Sequence, residues 1–291
     1  MSTYNGEKYI ENQIKSLIKQ KEVKIKLLIR DDGSTDSTLE KIQKIINKYP
    51  EIEIKLLSSK NIGYAKSFWD LLNKADLSCE YFAFCDQDDI WLENKLICAI
   101  KMIEESKKSK TPILYTSNVT SIDNNMNILS RNTFNSSRSL SIYESLQKNN
   151  VPGCTYVMNR EAILLARKYN GYMESHDWAL YNIVNIFGKV IYDKNSYILY
   201  RIHGSNALGK KSLIKELKMK ISRFFNKNMC TRSKFTKDFN ETFYKDIPEK
   251  IRYDIKCLAY YKVDLKYKLH ILLSSKYKGF IFKIYIILNK V

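Results

Sequence analysis

Tyr9, Ile10, Ile14, Leu17 and Ile18 fall near helical spacing within residues 7–21, and residues 23–30 (VKIKLLIR) follow with the aliphatic density of a strand. The same alternation then repeats. DDGSTDSTLEKIQKIINKY carries a turn and an N-cap signal ahead of a helix, EIEIKLLSS alternates as a strand, and NIGYAKSFWDLLNKA reads as a helix opened by a glycine turn. CEYFAFCDQDD is a strand that ends in acids, and a helix is predicted from Trp91 to about Ser106. Beyond it come a short strand (PILYTSNVTSID), a polar loop or flap over residues 123–140, and VPGCTYVMNREAILLARKY as strand then helix. A helical run over Ala179–Phe187 precedes the strand VIYDKNSYILY. Strands separated by helices of this length predict an α/β fold with a parallel, helix-covered sheet, whose ligands gather at the carboxyl ends of the strands. The acidic segments stand at those ends.

Composition narrows the class. The 291 residues are 44% hydrophobic and 27% charged, with only 9 Gly and 4 Pro, which supplies a sizeable core and argues against bulk disorder. No run of 18 uninterrupted apolar residues occurs, and MSTYNGEKYIENQ lacks the basic-then-apolar pattern of a signal peptide. The expectation is a chain neither exported nor membrane-spanning. The six cysteines form no CxxC pair, which fits a reducing cytoplasm better than a zinc site or a disulfide framework.

The net charge of +18 is unevenly spread: residues 210–291 carry 21 Lys/Arg against 7 Asp/Glu, and residues 1–209 carry 28 against 24. Leu213, Leu217, Ile221, Phe224 and Phe225 recur helically among the lysines at the start of that segment. Two regions are therefore expected, a main α/β domain over residues 1–209 and a basic, amphipathic, helical region over residues 210–291. Such a segment suits anionic partners: a phospholipid surface, nucleic acid or polyphosphate. Against nucleic acid stand the absence of a recognisable binding module and the acids of residues 86–89.

Four constellations carry candidate chemistry. Asp31 and Asp32, in RDDGSTD at a strand-to-helix junction, suit a nucleobase or ribose contact, and equally suit a plain turn and N-cap. Asp86, Asp88 and Asp89, after an apolar strand, can converge on one divalent cation that neutralises a departing diphosphate; the alternative is a solvated turn. Asp177, in ESHDW at a helix start, is either a general base for an incoming hydroxyl or an N-cap. Arg201 and His203, in YRIHGSN, suit a diphosphate or a metal, although a lone histidine is commonly structural.

In this order, STYNGEKYIENQIKSL, IRDDGSTDST, NIGYAKSF, FCDQDDIW, PGCTYVMNREA, SHDWAL and YRIHGSNALG resemble the family 2 glycosyltransferases, inverting enzymes of the GT-A fold, and most closely their bacterial rhamnosyltransferase-type branch. The resemblance covers roughly the first 210 residues. It implies a mixed, helix-covered, Rossmann-like sheet, a D-x-D motif and a Mg²⁺ or Mn²⁺ ion. Thr3, Tyr4, Glu7, Asp31, Asp32, Asp86, Gln87 and Arg201 are implied to bind the nucleotide-sugar, with Asp86, Asp88 and His203 at the metal, Asp177 as the base, and Asn206 near His203.

The implied reaction moves a sugar, L-rhamnose from dTDP-L-rhamnose, onto a glycan or polyprenyl-diphosphate-linked acceptor in capsule, O-antigen or cell-wall synthesis. A UDP-hexose donor, a binding protein with dead chemistry and a basic nucleic-acid-binding protein are the other readings. The implied location is cytoplasmic, on the inner face of the membrane. Two departures from the family pattern stand out. SHDW replaces a Glu-Asp pair found in many relatives, so the base assignment rests on Asp177 alone. Met1 falls where a first apolar strand normally ends, from which poor solubility or inactivity is expected unless upstream residues are restored.

Overall fold

The computed structural model describes residues 1–107, 110–131, 133, 139–148, 151–203 and 231–291. Its first third alternates strand and helix: β1 (Ser2–Thr3), α1 (Ile10–Ile18), β2 (Lys26–Asp31), α2 (Thr38–Lys48), β3 (Glu53–Ser58) and α3 (Tyr64–Lys74). The three strands pair in parallel in the order β1-β2-β3, with Ser2 opposite Arg30 and Lys26 opposite Glu53. The periodicity explains the layer: Ile10, Ile14 and Leu17 of α1 and Ile42 and Ile45 of α2 are buried against Leu27 and Ile29 of β2.

A second sheet holds β4 (Tyr81–Ala83), β5 (Ile90–Trp91), β6 (Ile113–Ile122), β7 (Ile128–Ser130), β8 (Val157–Asn159) and β9 (Lys189–Arg201). Its order is β4-β8-β6-β9-β5, with β7 on β6. Only β6 and β9 run parallel here; the other pairings are antiparallel. The architecture is thus the mixed α/β sheet implied by the family resemblance rather than the wholly parallel one suggested by element order. One reason lies in the connections. The five-residue connection from β6 to β7 is shorter than the dozen or so residues a parallel crossover needs, so β6 turns straight back into an antiparallel β7.

Strand β6 is longer and deeper than its polar sequence suggests, with every residue buried. Its hydroxyls find partners across the sheet: Thr116 donates to the Ile191 carbonyl at 3.1 Å, and Thr120 to Ser196 at 3.0 Å. The polar stretch after it is not one loop, since it contributes β7 and leads into α5 (Ile142–Gln147), which a Ser141/Glu144 capping box opens.

Helices α4 (Lys95–Ser106), α5, α6 (Arg160–Ala166) and α7 (His176–Phe187) cover the second sheet, and α8 (Thr231–Phe243), α9 (Glu249–Tyr260), α10 (Leu265–Leu273) and α11 (Phe280–Ile287) complete the chain. The last four share the main core. Phe235 lies 4.6 Å from Trp178 and Phe239 lies 5.7 Å from Phe187, ring centre to ring centre. The buried Asp254 accepts hydrogen bonds from Tyr143, His270 and Lys276, each at 2.7 Å, and so ties α9 to α5 and α10. Leu213, Leu217, Ile221, Phe224, Phe225 and Asn206, singled out in the sequence, lie outside the described residues. Between β2 and β4 is a cavity of about 630 Å³, lined by Leu27, Leu28, Phe68, Phe82, Phe84 and Trp91 among others, with the buried Met1 at its side.

Candidate active site

The carboxyl ends of the strands bring four loops together. After β2, Asp31 is fully buried: its Oδ1 accepts from the Thr3 hydroxyl at 3.0 Å and the Ser34 hydroxyl at 2.5 Å, and its Oδ2 from the amides of Gly33 and Ser34 at 3.1 and 2.9 Å. Gly33 has φ +84°, a conformation a side chain would strain. Asp32 is buried as well. It pairs with Arg30, and it accepts from the amides of Ile62 and Gly63, both at 2.9 Å, which fastens the turn before α3 to the loop after β2. Asp32 therefore holds two loops in place through hydrogen bonds made entirely within the protein.

The loop after β1 is laced to the start of α2. The amides of Asn5, Gly6 and Glu7 donate to Ser34, Thr38 and Asp36, and the Glu7 carboxylate accepts from the Ser37 amide at 3.0 Å. Tyr4 is exposed at the rim. Gln87 clamps its backbone from both sides, accepting from the Tyr4 amide at 2.9 Å and donating to the Tyr4 carbonyl at 3.0 Å. Gln87 thus reaches the expected site by holding Tyr4.

The acids after β4 part company. Asp88 meets His203, Oδ2 to Nε2, at 2.8 Å, and its carbonyl accepts from Arg201 Nε at 3.0 Å. His203 stacks on Tyr9 at 5.1 Å, and the Arg201 guanidinium lies 4.9 Å from the same ring. Asp89 is buried, accepts from the Arg201 amide at 3.1 Å, and leaves its Oδ2 without a hydrogen bond among the described residues. Burial, with the neighbouring charges of Asp88 and Asp86, raises its carboxyl well above the usual range. Asp86 is pushed up to about 7 by burial first, then by Asp88 and Asp177. Asp177 comes near this group through the 3-10 turn: Gly153 packs on it, and the next residue, Cys154, lies within 4.8 Å of Asp86 and Asp89.

Asp177 stands in the first turn of α7, its carboxylate accepting from the Trp178 amide at 2.7 Å. The close approach of this turn depends on Gly153, where a Cβ would come within 2.9 Å of Asp177 Cβ and 3.0 Å of His176 Nε2. His176 is buried and stacked on Phe68 at 4.0 Å, and burial lowers its imidazole to about 4.

The structure brings Asp86, Asp88, Asp89, Arg201 and His203 together after β4 and β9, with Asp177 packed on Gly153 beside them; Gln87 joins this loop to Tyr4, and Thr3, Glu7 and Asp31 stand in and after β1 and β2. Sequence reasoning gave no role to Tyr9, Gly153, Cys154 or His176. Cys154, in the 3-10 turn before β8, lies with Asp86 and Asp89 in a group whose ligand atoms fall within 4.8 Å of one another. The fit to a divalent cation is carried by the oxygens. Crowded carboxylates with raised pKa, one of them carrying an orphaned buried oxygen, gain from a cation between them, whereas a buried thiol is a poor ligand for Mg²⁺ or Mn²⁺.

Comparison with known proteins bears on the family and the fold. The chain is 33% identical to the dTDP-rhamnosyl transferase RfbG of Shigella flexneri, over 79% of this chain and 82% of that one. It is 37% identical to the Escherichia coli UDP-Glc:alpha-D-GlcNAc-diphosphoundecaprenol beta-1,3-glucosyltransferase WfgD, over 35% of this chain and 39% of the other. Among solved structures, S. aureus TarS 1-349 in complex with UDP-GlcNAc superposes with a TM-score of 0.59 at 18% identity, covering 99% of this chain and 78% of that one. The mannosyltransferase PcManGT of Pyrobaculum calidifontis, in complex with GDP-Man and Mn2+, gives 0.52 at 12% identity, covering 99% and 77%. These likenesses bear out the GT-A fold. Residues 1–163 match Glycosyl transferase family 2, and with the nucleotide-side loops, the acid cluster and the α7 carboxylate in place, the chain belongs to that family of glycosyltransferases.

Proposed function

We propose that this glycosyltransferase moves L-rhamnose from dTDP-L-rhamnose onto a glycan or polyprenyl-diphosphate-linked acceptor, with inversion at the anomeric carbon. The observation that supports the reaction type is the Asp177 carboxylate at the start of α7, packed on Gly153, whose neighbour Cys154 lies within 4.8 Å of the Asp86 carboxylate. The likeness to RfbG supports the sugar. Thr3, Tyr4 and Glu7 line the base pocket, whose shape Asp31 fixes through Ser34 and Thr3. Arg201 and His203 stand beside the acids and hold the diphosphate. Asp86 and Asp88 would hold Mg²⁺ or Mn²⁺, whose positive charge offsets that of the departing nucleoside diphosphate.

Asp177 then takes the proton of the acceptor hydroxyl while that oxygen attacks the anomeric carbon from the face opposite the diphosphate. One bond forms and one breaks, so no carboxylate nucleophile is needed. A UDP-hexose donor is the second reading, favoured by the partial match to the glucosyltransferase WfgD.

A donor screen tests both readings: release of nucleoside diphosphate from dTDP-L-rhamnose and from UDP-sugars, with and without Mn²⁺ or Mg²⁺. Metal-dependent release from dTDP-L-rhamnose, lost in Asp88→Asn, is expected. Turnover confined to a UDP-sugar selects the second reading, and no binding of any donor overturns both.

A further inference from the structure

The last two helices turn apolar side chains in two directions. Ile271 of α10 and Ile286 of α11 are fully buried in the main core, while Leu265, Leu269 and Leu273 form a stripe at i, i+4 and i+8 on an exposed face of α10. On α11 Phe280 and Ile287 share an exposed face at i and i+7, with Ile281 exposed beside them, and Leu273 and Phe280 are 82% and 81% exposed. The two helices adjoin: Lys268 donates to the Ile287 carbonyl at 2.8 Å, and Lys283 to the Leu272 carbonyl at 2.7 Å. Scattered exposed leucines need no explanation, but two neighbouring helices that both present apolar stripes to water do. The surrounding charge says what would cover them. Residues 262–291 hold seven lysines and a single acid, Asp264.

We propose that this face of α10 and α11 is the surface on which the protein rests on an anionic bilayer. The helices have 9 and 8 residues, roughly 12–14 Å at the α-helical rise, against a hydrocarbon core of about 30 Å. No helix among the described residues is long and apolar enough to cross a membrane. These two lie in the interface, leucine and phenylalanine side chains entering the acyl boundary while the exposed Lys262, Lys266 and Lys278 reach the head groups. A second copy of this chain fits less well, because the lysine-rich surround repels its own image while an anionic leaflet attracts it. The assignment extends the reading of a lipid-linked acceptor and moves the membrane contact from the basic segment at large to two defined helices.

The test is flotation of the full chain with vesicles of phosphatidylcholine alone or with added phosphatidylglycerol, without donor or acceptor. Binding to the anionic vesicles only is expected. The triple variant Leu265→Ser, Leu273→Ser, Phe280→Ser, all at exposed positions and checked for unchanged thermal unfolding, should lose binding by about tenfold or more. The pair Lys266→Gln, Lys278→Gln should weaken it several-fold and flatten its salt dependence. Wild-type protein that stays off anionic vesicles overturns the assignment, as does a triple variant that floats equally well. So does a dimer, seen by sedimentation, that the triple variant dissolves while vesicle binding is unchanged. Donor release measured on the same variants keeps the two ideas apart. Intact turnover with lost flotation leaves the transfer reading standing, and flotation without turnover condemns the transfer reading alone.

Discussion

Asp177 and its neighbour His176 divide the work at the start of α7, one facing the cleft and one the core. Asp177→Asn keeps the shape and removes the base, so transfer should fall by about 10²- to 10⁴-fold with donor affinity little changed, as steady-state kinetics with calorimetry would show. An equal loss of donor binding would move Asp177 out of the base role. His176 gives a stability prediction. Burial lowers its folded-state pKa to about 4 from an ordinary 6.5, so the folded chain binds fewer protons than the unfolded chain between those values. Stability is then full above pH 6.5 and declines as pH falls toward 4, by about 3 kcal/mol at most. Denaturant unfolding of His176→Phe should show a flatter pH dependence in that window; an unchanged slope would show that other groups carry it. The residue types of this site were legible because each motif mixes acids with a turn signal after an apolar strand. The split in their duties was not, since Asp31 and Asp32 are adjacent in sequence while their partners lie 30 residues away at Ile62 and Gly63, or come from Thr3 across the sheet.

Strands and helices were read most surely where one face is apolar and the other wet, as in α1 and α2, whose buried positions keep helical spacing. Strand β6 escaped that reading. All its residues are buried, and its polar side chains find partners on β9, on Thr133 or within the strand itself, so neither face is marked by apolar alternation. The 3-10 turn at Gly153–Thr155 was equally silent, because its role comes from packing under the first turn of α7. Gly153→Ala forces at least one contact of 2.9 Å on Asp177 Cβ. The expected cost is about 1–3 kcal/mol in stability, with a drop in kcat larger than the change in donor affinity, since the added methyl displaces the base. A variant with wild-type kcat and stability would show that α7 shifts freely.

Across the molecule, the helices after Thr231 do not hang off the catalytic core; they complete it. Phe235, Phe239 and Phe243 fill the space beside Trp178, Tyr169 and Phe187, so Phe239→Ala should cost about 3–5 kcal/mol and lower activity through loss of folded protein. Truncation before Thr231 should leave an insoluble remnant, and a soluble, active remnant would refute the shared core. At the opposite side, the cavity between β2 and β4 is bordered by a strand edge that lacks a full partner among the described residues. The reciprocal hydrogen bonds between Gln87 and the Tyr4 backbone join the two sheets at the mouth of the cleft. On the proposed reading the Tyr4 loop meets the base and the Gln87 loop meets the diphosphate, and two loops tied by one amide do not order separately. The expected outcome is that nucleoside and inorganic diphosphate help each other to bind, and that Gln87→Ala turns them into two independent fragments.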